Sequence, residues 1–365
     1  MKSKKILLIS TILILVSLFL SACSGAVTAS TSWHGVTADD TLAYLAAGTQ
    51  VYGVDLSTGA QKWKFPADKP NPKGFYATPV FADDNSQLLI PGYDGSLNSV
   101  NPTNGALIWK FSGSAYKLIA SPLVLDNIIY QPSTDGIVYA LDLQGNMVRS
   151  FDISSDALWA QPATAAGCSC IYISAMDHSV YAINLTSGEQ IWKTDDLGGS
   201  VIGRPAVGTD GTLYVGTFGS EMVALDGTNG SVLWRFSTED KVWGGPALDN
   251  NVLYFGDLSG YLYAVNAGDG TQVWRNQPNK AIVEAPLVSG DTLYLTTETP
   301  SLFTISTAGE IVNTTVVGGD YIYTTPVIAG DKILVTPVNY DKNLLVALSL
   351  ESPNAPAKWL FVPAK

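Results

Sequence analysis

Side chains able to do chemistry are scarce in this chain of 365 residues, which holds three cysteines and two histidines. Cys168 and Cys170 stand one residue apart at the start of a predicted strand. Side chains at i and i+2 of a strand share a face, so a disulfide and two half-buried thiols are both open readings. The spacing is not C-x-x-C, and with only His34 and His178 as imidazoles no metal-ligand set can be assembled. Carboxylates recur in the short loops Gly92-Tyr93-Asp94-Gly95, Thr134-Asp135-Gly136, Met176-Asp177-His178 and Asp257-Leu258-Ser259-Gly260. A ring of carboxylates suggests calcium, but Asp-Gly is also what a tight hairpin requires, and the turn reading is adopted. His178 replaces the glycine of its turn, and both histidines are read as solvated and non-catalytic. No Ser-His-Asp order or paired-carboxylate grouping points to an enzyme, and neither a metal nor a cofactor is expected.

The candidate binding residues come from a different regularity. Large side chains stand three residues ahead of a proline at Tyr76, Ile119, Trp159, Ile202, Trp243, Val283 and Tyr323. Aromatic and aliphatic members alternate, placing Tyr76, Trp159, Trp243 and Tyr323 on every other unit of a ring. Two readings stay open: packing of a channel wall, or aromatics that stack on sugar faces or grip an apolar peptide. Arg204, Glu284 and Gln161 are the polar residues nearby, and Arg204 and Glu284 are expected to pair. The segment from Pro66 to Ala77, with three prolines, Lys69 and Lys73, is a candidate partner contact.

These residues hang on a repeat. Short β-branched and aromatic runs separated by Asp, Asn and Gly turns recur eight times, and most copies close on Gly-x-x-x-Trp. In the third copy the strands are predicted at Pro122–Leu125, Ile128–Gln131, Val138–Leu141 and an outer strand ending at Phe151. Successive outer strands end near Trp63, Trp109, Arg149, Trp192, Trp234, Trp274, Asn313 and Trp359, 39 to 46 residues apart. A period of roughly 40 residues in an all-β chain means a ring of blades. The predicted fold is an eight-bladed β-propeller of four-stranded antiparallel blades. Trp63, Trp109, Trp192, Trp234, Trp274 and Trp359 are expected to stack on the neighbouring blade's turn, with each N–H finding a partner.

The pattern A-x-D-x-x-T-G-x-x-x-W, clearest at Ala182-x-Asn184-x-x-Ser187-Gly188-x-x-x-Trp192 and Ala224-x-Asp226-x-x-Asn229-Gly230-x-x-x-Trp234, resembles the tryptophan-docking repeat of quinoprotein-like propellers. That resemblance implies eight blades, as in the quinoprotein (PQQ-dependent) dehydrogenases and in the propeller lipoprotein of the outer-membrane β-barrel assembly machinery. The dehydrogenases are longer; they clamp their cofactor with a disulfide between adjacent cysteines, hold calcium with acidic and amide side chains and use an aspartate base. Here Ser169 separates the two cysteines, and no position matches the calcium ligands or the base. The scaffold lipoproteins need none of these.

At the N-terminus, Lys2, Lys4 and Lys5 precede an apolar run from Ile6 to Leu20, then Leu20-Ser21-Ala22-Cys23. This predicts a lipoprotein signal peptide over 1–22, an acylated Cys23, a tether over 23–32 and one propeller over 33–363. Ser24 stands where an aspartate favours inner-membrane retention in enteric bacteria, so an outer-membrane or cell-surface address is expected. Three of the 20 basic residues leave with the signal, and 17 then face 32 acidic ones, a balance of −15. Such a chain does not bind nucleic acid, whose partners supply basic contacts. The sequence therefore reads as a non-catalytic, membrane-anchored scaffold for an envelope protein or unfolded client. A glycan or peptide receptor and a PQQ-dependent dehydrogenase are the alternatives.

Overall fold

Runs of β-branched and aromatic residues broken every few positions by Asn, Asp or Gly favour short antiparallel strands joined by tight turns. The computed structural model describes residues 34–82, 85–338 and 343–364, where the strands form eight sheets, each built from consecutive strands. The predicted signal peptide, Cys23, the tether and Trp33 lie outside the described residues. The blades occupy residues 35–65, 80–111, 123–152, 163–193, 206–237, 247–276, 287–316 and 327–361. Their strands are lettered A to D from the channel outward. Seven sheets have four strands; in blade 4 strand A has shrunk to the single bridge Ala163 to Tyr172. The third repeat forms Leu123–Leu125, Ile128–Pro132, Ile137–Asp142 and Met147–Asp152, as its sequence predicts. Asp126 and Asn127, at φ 52° and 61°, make its A–B turn in the left-handed conformation that two-residue hairpins favour.

Each position of the repeat has a physical job. A small residue on strand C faces each docking tryptophan: Gly53 opposes Trp63, Ala182 opposes Trp192 and Ala224 opposes Trp234. A Cβ on Gly53 would lie 2.3 Å from the indole, so the ring crosses strand C at close contact there. Two residues on, Asp55 Oδ1 accepts the N–H groups of Ser57 and Thr58, and Asn184 does the same for Thr186 and Ser187. These Asx turns set up the glycine, which takes φ of 70° to 94° in seven blades.

That glycine is the landing pad for the preceding blade. Trp63 lies over Gly105, Trp109 over Gly145, Trp192 over Gly230, Trp234 over Gly270 and Trp274 over Gly309. Each indole N–H donates to a carbonyl of the same turn, at 2.8 to 3.0 Å. Two interfaces depart from this. Arg149 takes the tryptophan's place over Gly188 and donates to the Thr186 carbonyl at 3.4 Å. Asn313 leaves the blade 7–8 interface without an indole. A cavity of about 440 Å³ lies there, lined by Thr315, Val316, Asn354 and Pro356, and Thr315 Oγ1 donates to Asn354 Oδ1 at 3.0 Å.

The ring closes without a shared sheet. Blade 1 contains only N-terminal strands and blade 8 only C-terminal ones. Trp359 crosses the seam, lies over Gly59 and donates to the Leu56 carbonyl at 2.8 Å. Thr336 Oγ1 donates to the His34 carbonyl at 3.1 Å, and Tyr52 packs on Phe361. Eight apolar cores lie between neighbouring blades, and the one at the seam joins Leu45 and Leu56 to Leu334, Leu345 and Trp359.

Candidate ligand-binding funnel

Proline opens the inner strand of blades 2 to 8, a place without cost because strand A is a sheet edge and needs no N–H toward the channel. The residues just ahead of those prolines turn into a cavity of about 950 Å³. It opens on the face where B–C loops meet the loops between blades, and Tyr93, Thr134 and Met176 reach it from B–C loops.

Of the predicted aromatic ring, Tyr76, Trp159 and Trp243 line this cavity, with the aliphatic Ile119 and Ile202 between them. Tyr323 does not. It stacks on Tyr321 at 5.8 Å and its hydroxyl donates to Glu298 at 3.3 Å, while Thr324 and Thr325 serve as its blade's wall. The four-membered ring is thus three-membered, because blade 8's entry loop draws its aromatic aside. Tyr76 is buried edge-on against Tyr93 at 4.7 Å, and Trp243 packs on Phe218 at 5.4 Å. Lys117 Nζ sits 5.6 Å from the Tyr93 ring centre. Tyr116 and Lys117 belong to the lining but were not singled out in the sequence, because loops between blades obey no repeat against which an unusual residue would show; Tyr93 stood in a B–C loop that was read for its aspartate alone.

Arg204 and Glu284 both face the cavity, but the expected pair does not form. They enter from blades 5 and 7, with the Gly244-Gly245 entry of blade 6 between them. Burial alone pushes the Glu284 carboxyl up to about 7 and lowers Arg204 from its ordinary value. Gln161 is engaged structurally, its Nε2 donating to the Pro122 carbonyl at 2.7 Å.

The remaining sequence candidates lie elsewhere. Asp94, Asp135, Asp177 and Asp257 accept hydrogen bonds within or beside their own loops; Asp257, for one, takes Ser259 N–H, Tyr261 N–H and the Tyr263 hydroxyl. His178 is exposed, at φ 68°, with Nδ1 3.0 Å from Asp196. His34, expected to be solvated, is buried; loss of water outweighs its bond to the Pro337 backbone and drops its pKa to about 4. Cys168 and Cys170 form a disulfide beside the core between blades 4 and 5, away from the funnel lining. The Pro66–Ala77 segment is tied to blade 1 through Gln50 Nε2 to the Pro66 carbonyl and Phe75 N–H to the Gly48 carbonyl. Lys69 and Lys73 stay exposed on it, and Lys73 reaches the funnel.

Eight blades around an axial funnel, six of their interfaces clasped by an indole on a glycine, define a PQQ-repeat β-propeller. Within that class the chain belongs to the outer membrane protein assembly factor BamB family, whose model matches residues 20–168 and 176–354. It is 27% identical over 160 residues to the BamB of Nitrosomonas eutropha, covering 43% of this chain and 38% of that protein. It is 24% identical over 214 residues to the BamB of Shewanella oneidensis, covering 55% and 52%. A quinohemoprotein alcohol dehydrogenase of Pseudomonas putida is 25% identical over 213 residues, 53% of this chain but 29% of that enzyme. Each match thus spans about half the relative's length or less. The crystal structure of BamB from Moraxella catarrhalis matches with a TM-score of 0.70 at 16% identity, over 87% of this chain and 92% of that one. At that identity the likeness speaks for the fold alone.

Proposed function

We propose that this protein is a non-catalytic, lipid-anchored propeller of the cell envelope that binds a partner or an unfolded client during outer-membrane protein assembly. Family membership supports the setting, and one structural observation carries the mode of binding. Among the described residues every blade ends in a strand D with no further strand beside it, so a row of N–H and C=O groups stays open along its edge. On these strands apolar neighbours stand in water together: Leu107 and Ile108 at about half exposure, Met147 with Val148, Val232 with Leu233, and Ile311 with Val312. An open edge with apolar side chains is what an extended chain can add to, its backbone supplying hydrogen bonds and its alternate side chains the contacts. Cys23 would hold the ring near the bilayer, since the 10 residues from Cys23 to Trp33 reach at most about 35 Å.

The test is cross-linking in intact cells, followed by capture through a C-terminal tag. Recovery of an outer-membrane barrel protein, with cross-links mapping to strand D residues such as Leu233, is expected. Recovery of no specific envelope protein would overturn the proposal. A second reading, a receptor for a glycan or peptide, draws support from the convergence of Tyr76, Trp159 and Trp243 on one cavity. Ligand-dependent quenching of tryptophan fluorescence tests it.

A further inference from the structure

The repeat supplies its own control for the funnel. Directly before the strand A proline, six of seven blades carry a small or neutral polar residue, and Arg204 is the one charge. One position earlier, six of seven carry Ala, Gly or Thr, and Glu284 is the one charge. Three of the neutral polar residues have structural work. Ser121 Oγ donates to the Thr78 carbonyl at 2.8 Å, Gln161 Nε2 to Pro122 at 2.7 Å and Thr325 Oγ1 to Ala285 at 2.8 Å, each binding its blade to the one before. Arg204 and Glu284 have no side-chain hydrogen bond or ion pair with any described residue. The other three arginines are all engaged: Arg149 with the Thr186 carbonyl, Arg235 with Glu221 and Arg275 with Glu239.

Arg204 lines the funnel while remaining solvent-exposed, so its guanidinium can meet an anion entering the cavity without first giving up a protein partner. Its planar fork can take both oxygens of a carboxylate at once. The blades on either side of Arg204 present Trp159 and Trp243 to the same cavity, two flat apolar faces flanking the charge. Between Arg204 and Glu284, blade 6 has no side chain at either position. A Cβ on Gly245 would meet the Arg204 carbonyl oxygen at 1.9 Å, and one on Gly244 the Val283 carbonyl oxygen at 2.8 Å. Lys73 and Lys117 also line the cavity, so its wall is cationic on a chain of net charge −12.

We propose that the funnel is a binding site for a carboxylate joined to an aromatic or large apolar group, with the carboxylate on Arg204, the flat group between Trp159 and Trp243, and a neighbouring N–H or hydroxyl on Glu284. Such a ligand is either a free small acid or the C-terminal residue of a polypeptide, and a cavity of about 950 Å³ admits both. The site lies on the channel and the proposed client contact on the outer edges, so either stands or falls without the other.

The test is titration of the full chain, followed by tryptophan fluorescence and calorimetry, with three probes: acetyl-Gly-Gly-Phe as the free acid, the same peptide as its C-terminal amide, and phenylpropionate. The free-acid peptide is expected to bind, with the amide at least about tenfold weaker, because a charge-assisted contact is lost. Arg204→Gln should weaken the acid by roughly tenfold to a hundredfold and leave the amide unchanged. Arg204→Lys, which keeps the charge without the fork, should fall between. Phenylpropionate binding as tightly as the peptide would assign the site to a small acid, and much weaker binding would assign it to a chain terminus. Because Arg204 makes no side-chain bond with any described residue, its variants should keep the parent's melting temperature, which separates lost binding from lost folding. Equal binding of acid and amide, no effect of Arg204→Gln, or failure of both acids to bind would overturn the assignment.

Discussion

Trp359 is the only docking tryptophan whose two blades are not also joined by an adjacent loop, and its removal should open the ring at one place. Trp359 and Trp192 make a matched pair. They are 8% and 7% exposed, lie over Gly59 and Gly230, and donate to carbonyls at 2.8 and 3.0 Å. Truncating a buried tryptophan costs roughly 3–5 kcal/mol in lost contacts and residual cavity, so either alanine variant should lose stability by that amount. The difference lies in the chain. The Trp192 contact spans 35 residues and one interblade loop bridges its blades, whereas the Trp359 contact spans 303. Freed of its clasp, the seam can part locally, while blades 4 and 5 remain tethered. Hydrogen exchange with mass analysis is the assay. In Trp359→Ala, protection should fall first in Leu42–Ala47 and Gln50–Asp55 of blade 1 and Leu345–Ser349 of blade 8. In Trp192→Ala those strands should exchange no faster than global unfolding allows. An unchanged denaturation midpoint in Trp359→Ala, or the same exchange map in both variants, would refute the reasoning.

Further outcomes follow from the same contacts. Trp234→Ala should likewise cost roughly 3–5 kcal/mol, read as a lowered urea midpoint. Arg149→Trp places an indole over a glycine that already has the landing conformation and should stabilise the ring by about 1 kcal/mol, seen as a higher melting temperature. Glu284 holds its proton up to about pH 7 in the folded chain but releases it near 4.5 when unfolded. Its contribution is therefore lost as pH rises through that window, by at most about 3 kcal/mol and less where funnel water reaches the carboxyl. Glu284→Gln should remove that slope and be the more stable form at about pH 8. His34 works in the opposite sense, kept neutral down to about pH 4 and destabilising as pH falls below 6.5, so the parent and Glu284→Gln must be compared at each pH. Cys23→Ser should move the protein from the washed membrane fraction to the soluble one without unfolding it; retention on membranes would remove the lipid-anchor proposal.

The blades were legible because their constraints are local and repeated. A small residue under the ring, an Asx turn, a left-handed glycine and a tryptophan all lie within about a dozen residues, and the strands of the third copy fall within a residue or two of expectation. The funnel was half legible. Tyr76, Trp159 and Trp243 announced themselves through their spacing to proline. Tyr323 had the same spacing, but a neighbouring Tyr321 and Glu298 claimed it. Arg204 and Glu284 stand two repeat periods apart, which placed them on blades 5 and 7, but whether they meet depends on the bore of the funnel, which spacing along the chain does not encode. The seam was hidden for the same reason, since nothing at Leu56 or Gly59 signals a partner about 300 residues away.

The two interfaces without an indole clasp, blade 3 to 4 and blade 7 to 8, are four blades apart and hence face each other across the ring. They divide it into two half-shells, blades 8-1-2-3 and blades 4-5-6-7, each held by three tryptophan clasps. The propeller is therefore expected to bend like a folded disc, along one diameter. That crease runs through the funnel, with Tyr76, Tyr93 and Lys117 on one shell, Arg204, Trp243 and Glu284 on the other, and Trp159 at the fold line. A small rotation about the crease would change the bore between the cationic and aromatic walls while every clasp stayed shut, giving a rigid-bladed ring an adjustable aperture.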